Sequence, residues 1–174
     1  MSQLDAAYNP VDILNEVRSM ELQAISQYMG HHYVLEDIDM PELAKAVKKI
    51  SIDEMRHAEM LGIRILELGG TPVRLPNGMI SNDEAPETLF ATDYGLETNT
   101  VNAYAEYIQQ LERAGDQVSA QLIKKIIVQE EGHRQYFLDI YNSIMNYQGD
   151  FLSKQISGKF KAPEYVKFVV GEKP

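Results

Sequence analysis

The chain has 174 residues, 44% of them hydrophobic and none of them cysteine, and its 26 acidic against 16 basic residues give a net charge of −10. This length and apolar content fit one domain with its own core and exclude a disordered chain or a membrane protein, since no apolar run approaches the ~20 residues of a spanning helix. Without cysteine there are no disulfides, zinc ribbons, thiolate iron centres or Cys nucleophiles, and the acidic balance speaks against nucleic acid as a partner. The N-terminal MSQLDAAYNP has neither the basic nor the apolar region of a signal peptide, so a cytoplasmic location is expected. The excess of acid fits either solubility or the attraction of cations, and composition does not choose between them.

Four segments carry helical periodicity. The first begins at Asn9-Pro10, a cap followed by proline in the first turn, and runs to about Leu35. The second runs from near Asp39 and Pro41 to Leu68, where Gly69-Gly70 stops it. A loop from Thr71 to Glu84, punctuated by Pro72, Pro76, Gly78 and Asn82, leads to a third helix from about Pro86 to Gly115. The fourth extends from about Asp116 to roughly Tyr147, stopping before Gly149, and a short fifth helix is expected over Asp150–Ile156. Residues 1–157 thus read as one helical domain and 158–174 as an unassigned C-terminal tail. Two short connections and one long one predict two antiparallel helix pairs joined by a crossover, an all-α four-helix bundle.

Each helix places an acid in the middle of its apolar face. At about 100° per residue, Leu43, Val47, Ile50, His57, Leu61, Ile65 and Leu68 lie within about 60° of Glu54. In the fourth helix Ser119, Ile123, Ile126, Glu130, His133, Phe137, Tyr141 and Ile144 share one face. The first helix aligns Leu14, Val17, Glu21, Ile25, Tyr28 and Leu35, and the third aligns Phe90, Asp93, Glu97, Val101, Tyr104, Ile108 and Leu111.

A buried carboxylate without a partner costs several kcal/mol or takes up a proton. Four of them facing one another would be worse unless cations stand between them, and two divalent ions would neutralise Glu21, Glu54, Glu97 and Glu130. Glu and His at i and i+3 project side by side, so Glu54-x-x-His57 and Glu130-x-x-His133 can each address a metal from one helix. One such pair is common by chance. Two of them, with a further core Glu on each remaining helix, match a di-iron carboxylate centre. Oxygen and imidazole ligands suit iron or manganese, with zinc able to substitute.

At these residues the sequence resembles the bacterioferritin branch of the ferritin-like family. The matching stretches are Asn15 to Tyr28 (NEVRSMELQAISQY), Ser51 to Ala58 (SIDEMRHA), Leu96-Glu97, and Glu130 to His133 (EEGH). The resemblance implies six ligands: Glu54 and Glu130 bridging two irons, Glu21 with His57 completing one position, and Glu97 with His133 the other. It further implies an iron-storage ferroxidase that oxidises Fe(II) with O2 or peroxide and deposits ferric mineral in a homo-oligomeric shell of 24 subunits built from two-fold dimers. A ferredoxin-type reductant is among the partners the resemblance implies. A b-type haem held between two subunits by one Met from each would correspond to Met55. Met55 points away from the metal face into a second apolar stripe with Ile52, Ile63 and Leu66, as expected of a helix buried against a partner subunit.

Tyr28 and Tyr104 lie on the metal face and are expected to hydrogen-bond a ligand or donate an electron, or else to be satisfied core aromatics; Asp93 is expected to accept a hydrogen bond from a ligand histidine. His31 and His32 are expected at the surface or facing a pore. Leu61 and Tyr136 occupy positions where some bacterioferritins carry Tyr and Trp, which puts an electron-donor role there in doubt. Two readings compete with storage. One is a rubrerythrin-like peroxide reductase, disfavoured by the lack of rubredoxin cysteines; the other is a structural or DNA-protecting shell without a metal site in the bundle, disfavoured by the four core acids.

Overall fold

Four helices follow one another: α1 Pro10–Asp37, α2 Pro41–Glu67, α3 Pro86–Arg113 and α4 Gln117–Ile156. This computed structural model describes residues 9–156, apart from the side chain of Gln148, so the tail 158–174 lies outside the described residues. Helices α1 and α2 pack closely as one antiparallel pair and α3 and α4 as another, with α1 meeting α3 and α2 meeting α4 across the bundle. The expected helix Asp150–Ile156 is present as the last turns of α4, because Gly149 does not interrupt it. A helix-interior glycine costs only about 1 kcal/mol against alanine, too little to end a long helix.

The three turns reuse one device. At the end of α2, Gly70 N–H donates to Ile65 O (2.9 Å) and Gly69 N–H to Leu66 O (3.0 Å), with Gly69 at φ 77°. This is the Schellman arrangement, in which a left-handed residue turns the chain and satisfies the last carbonyls. Gly115 (φ 81°) does the same after α3, and Asp39 (φ 61°) after α1, Asp being one of the few side chains that tolerate this conformation. Asp116 then caps α4, accepting from Ser119 N–H at 3.0 Å.

The long connection, residues 68–85, is bound along α1. Asn15 accepts from Val73 N–H (2.8 Å) and donates to Thr71 O (3.1 Å). Ser19 donates to Leu75 O (2.7 Å), Gln23 to Met79 O (3.1 Å) and Gln27 to Ser81 O (3.0 Å). Positions 15, 19, 23 and 27 are one helical turn apart, about 6 Å per step, while alternate residues of an extended chain advance about 6.6 Å. Val73 to Leu75 and Met79 to Ser81 are two-residue steps of this kind, and the bends at Leu75, Asn77 and Gly78 take up the two extra residues between Leu75 and Met79, so one row of side chains holds the loop from Thr71 to Ser81. The loop therefore carries the chain from the start of α1 to its far end, and α3 must enter antiparallel to α1.

The interior has two apolar clusters. One contains Tyr28, Leu35, Leu43, Val47, Ile50, Leu89, Phe90 and Phe137. The other contains Leu14, Val17, Leu61, Ile65, Leu111, Ile123 and Ile126. Between them, at mid-height, lie the four core acids and two histidines. No helix among the described residues is long and apolar enough to cross a membrane.

The turn after α2 tolerates no added carbon: a Cβ on Gly70 would lie 2.5 Å from Val11 Cγ1 and 3.0 Å from Ile65 Cγ2. Gly70→Ala should therefore destabilise by about 1–3 kcal/mol. A Cβ on Gly30, in α1, would meet nothing within 4 Å, and Gly30→Ala should stabilise by about 0.5–1 kcal/mol. Thermal denaturation of both variants beside the parent protein checks the two signs.

Candidate metal centre

Glu21 from α1, Glu54 and His57 from α2, Glu97 from α3, and Glu130 and His133 from α4 converge in the slab between the two apolar clusters. None exposes more than 1% of its surface. His57 Nδ1 lies 2.8 Å from Glu54 Oε2, 2.8 Å from Glu130 Oε1 and 3.7 Å from Glu21 Oε2. His133 Nδ1 lies 2.8 Å from Glu54 Oε1, 3.0 Å from Glu130 Oε2 and 4.0 Å from Glu97 Oε1. The halves are related by an approximate two-fold that exchanges α1–α2 with α3–α4. One ligand-type atom from each of Glu21, Glu54, His57 and Glu130 falls within a 4.8 Å group, and Glu54, Glu97, Glu130 and His133 form a second. Glu54 and Glu130 belong to both.

The centre has unspent acceptor capacity. Each imidazole Nδ1–H is directed at the glutamate on its own helix. Among the described residues Glu54 Oε1 and Glu130 Oε1 are buried and accept no well-aligned hydrogen bond, each meeting only the imidazole Nδ1 of the opposite helix pair at 2.8 Å. Such oxygens are costly to bury, and a cation shared by the two carboxylates would satisfy them. The residues present thus fit a pair of divalent ions by number, chemistry and unpaired atoms.

Protons balance the metal-free charge. Burial, and next the charge of Glu130, push the Glu21 and Glu97 carboxyls well above their ordinary value, so both hold a proton. Burial alone would discharge the imidazoles, but Glu130 beside His57 and Glu54 beside His133 outweigh it, and both pKa values rise. Glu54 goes the other way: burial opposes its charge, yet His133 holds it well below the usual carboxylate range.

Two tyrosines brace the outer glutamates from the opposite helix. Tyr28 of α1 donates to Glu97 Oε1 of α3, and Tyr104 of α3 donates to Glu21 Oε1 of α1 at 2.5 Å. Both are fully buried, and burial with the adjacent glutamate keeps each phenol protonated. Of the alternatives expected for these residues, the contact each phenol makes is a hydrogen bond to a core glutamate.

Asp93 and the first-helix histidines depart from the sequence reading. Asp93 does not accept from His57 or His133: its Oδ1 lies 2.8 Å from His31 Nδ1. Burial raises the Asp93 carboxyl to about 6. His31 is buried rather than at the surface, because α3 and the end of the crossover loop cover it; its Nε2 faces Gln27 Nε2 at 2.8 Å and Asp83 Oδ2 at 3.5 Å. His32 is also buried, with Nδ1 3.0 Å from Ala44 O. Leu61 belongs to the lower apolar cluster, and Tyr136 is buried against Phe137 with ring centroids 5.5 Å apart. The sequence reading missed Gln129, whose side-chain carbonyl accepts from His57 Nε2 at 2.6 Å. The available signal was the repeat itself, since Gln129 stands immediately before Glu130 as Asp53 stands before Glu54.

Met55 lies outside this centre. It is 53% exposed and borders an open groove lined by Arg18, Leu22, Ile25, Ile52 and Arg56. Ile63 and Leu66 are likewise exposed on α2.

A ferritin-like domain model matches residues 11–145. The bacterioferritin of Desulfovibrio desulfuricans is 40% identical over 144 residues, covering 83% of this chain and 80% of that protein. That of Mycobacterium tuberculosis is 34% identical over 140 residues, 80% of this chain and 87% of the relative. Among solved structures, the D. desulfuricans bacterioferritin, described with its diiron site in different catalytic states, superposes with a TM-score of 0.83 at 38% identity, covering 89% of this chain and 92% of that one. The Rhodobacter capsulatus bacterioferritin, described with a metal-free dinuclear site and its haem iron in a crystallographic special position, gives 0.78 at 30% identity, covering 83% and 91%.

The protonation pattern fixes a pH dependence. Glu21 and Glu97 bind protons more tightly folded than unfolded, so their contribution to stability is complete below the ordinary value of 4.5 and is lost as pH rises through their folded values. The contributions of His57 and His133 are complete below 6.5 and are lost in the same direction. The Glu54 contribution is already complete above 4.5 and stays constant. The metal-free protein should therefore melt at progressively lower temperature from about pH 6 to about pH 9, and saturating Zn(II) should remove most of that slope. A melting temperature that climbs over this interval in the metal-free protein contradicts the assignment.

Proposed function

Because the chain belongs to the bacterioferritin branch of the ferritin-like family, we propose that it is an iron-storage ferroxidase that oxidises Fe(II) within each bundle and accumulates the ferric product inside an oligomeric shell. The observation that carries this reading is the pair of four-residue groups sharing Glu54 and Glu130. Glu54 and Glu130 would bridge two ions, Glu21 and His57 would complete one position, and Glu97 and His133 the other. Iron held there supplies one electron per ion, so a pair delivers the two electrons that reduce O2 to peroxide or peroxide to water.

The chain's own residues do the rest. The protonated Glu21 and Glu97 and the two imidazoliums would give up protons as Fe(II) arrives, so uptake starts from a site without large net charge. Tyr28 and Tyr104 hold the outer glutamates in place before and after the ions arrive. The apolar clusters above and below exclude water and keep the electrostatic interactions strong. Met55 would hold a haem between two copies of the chain: its exposed thioether, beside a groove that Leu22, Ile25 and Ile52 line together with Arg18 and Arg56, would supply a sulfur donor to the haem iron. The exposed Ile52, Ile63 and Leu66 beside it would be covered in the same contact.

Glu54→Ala or Glu130→Ala should abolish rapid Fe(II) oxidation, at least ~100-fold in initial rate, while leaving helical content intact. The parent protein should oxidise hundreds of Fe(II) per assembly and keep the product soluble, as followed by absorbance and sedimentation. Uptake that stops at about two ions per chain, with excess iron precipitating, would overturn storage. NADH-driven peroxide consumption through a supplied reductase would then favour a rubrerythrin-like peroxide reductase.

Haem gives a separate check. Protein purified with haem should show a Soret band that Met55→Leu eliminates without changing sedimentation. A monomer at micromolar concentration would contradict both the shell and the haem assignment.

A further inference from the structure

The two halves of the centre are built on one five-residue pattern, residues 53–57 on α2 and residues 129–133 on α4, and they differ in the residue before the shared glutamate. On α4 that residue is Gln129, exposed at its own position, whose Oε1 accepts from His57 Nε2 at 2.6 Å. On α2 it is Asp53, the counterpart for His133. Asp53 is engaged instead by Arg56 three residues on, and His133 Nε2 is buried with no hydrogen-bond partner among the described residues. The approximate two-fold that relates the six inner side chains is thus broken in the layer outside them.

This difference bears on the metal. The ring nitrogen of a histidine that faces a metal is set by the hydrogen bond its other nitrogen makes. A carbonyl acceptor on Nε2 of His57 requires a hydrogen there, which leaves Nδ1 as the nitrogen presented to Glu21, Glu54 and Glu130. The same bond removes rotational freedom that the ring would otherwise lose on binding. His133 has no such restraint, and binding there keeps a buried N–H unsatisfied.

We propose that Gln129 is the positioning residue of the His57 half of the centre and makes the two halves unequal, so that the Glu21–His57 position takes a divalent ion first and more tightly. This rests on the reading of the six inner side chains as ligands. Outer partners of ligand histidines typically change metal affinity by about 10–100-fold, and the two positions should differ by a factor in that range.

The test uses the assembled, metal-free protein titrated anaerobically with Co(II), whose visible spectrum reports each position without any oxidation. The parent protein should bind two Co(II) per chain in two resolved steps. Gln129→Leu should weaken the tighter step by about 10–100-fold, alter the spectrum of the first equivalent, and leave the weaker step within about twofold. Gln129→Glu, which restores an oxygen acceptor at the same reach, should recover the two-step curve and the first spectrum. The proposal falls if Gln129→Leu leaves the tighter step unchanged or weakens both steps equally. It also falls, with the ligand reading intact, if the parent protein binds two Co(II) with equal affinity. Fewer than two Co(II) per chain in the parent protein would overturn the ligand reading and this proposal together.

Discussion

Four carboxylates held within a few ångströms of one another repel by about 4 kcal/mol per pair at 4 Å, even with an effective dielectric of ~20. A small protein has too little stability to bear several such terms uncompensated. The centre meets this constraint in two interchangeable ways. Without metal, Glu21 and Glu97 keep their protons and two imidazoliums face Glu54 and Glu130. With two divalent ions, the same positions can shed those protons and remain near neutrality. Tyr28 and Tyr104 serve either state, because a phenol held protonated by burial is a neutral donor. They restrain Glu97 and Glu21 without adding charge.

The polar slab also dictates the packing around it. A layer of six charged or polar side chains contributes little hydrophobic stabilisation, so the apolar clusters on either side must hold the helices in register. Helices α1, α2 and α3 run 27 or 28 residues, with Glu21, Glu54 and Glu97 close to their midpoints. About three turns of apolar contact lie on each side. A much shorter bundle would have the centre without the walls that keep it dry.

Much of this was legible in the sequence, because helical periodicity assigns each residue to a face and the six inner side chains sit in the middle of theirs. Residues near the edge of a face were harder. His31 is ten positions beyond Glu21, which turns it about 80° off the core direction, where a polar residue usually meets water. The crossover loop and α3 close over it, and that depends on tertiary contacts no single helix encodes. Asp93 was placed correctly on the core face but given the wrong partner, since periodicity cannot tell which side chain of a neighbouring helix lies opposite. Gln129 escaped notice for the same reason: its exposure on α4 hides the contact it makes with His57 from outside. Gly149 read as a stop because glycine often ends helices, yet without a left-handed turn the α4 ladder runs through it.

The crossover loop is held mainly through its own carbonyl and amide groups, by Asn15, Ser19, Gln23 and Gln27 of α1. The information that positions the loop is therefore stored in a different part of the chain from the loop itself. Leu75 and Met79 point outward and can change with little effect on the path, whereas any change in the number of residues between the anchors shifts every later carbonyl off its partner. The segment should thus drift freely in composition while staying constant in length, and a record of its ancestry would show more in its spacing than in its letters.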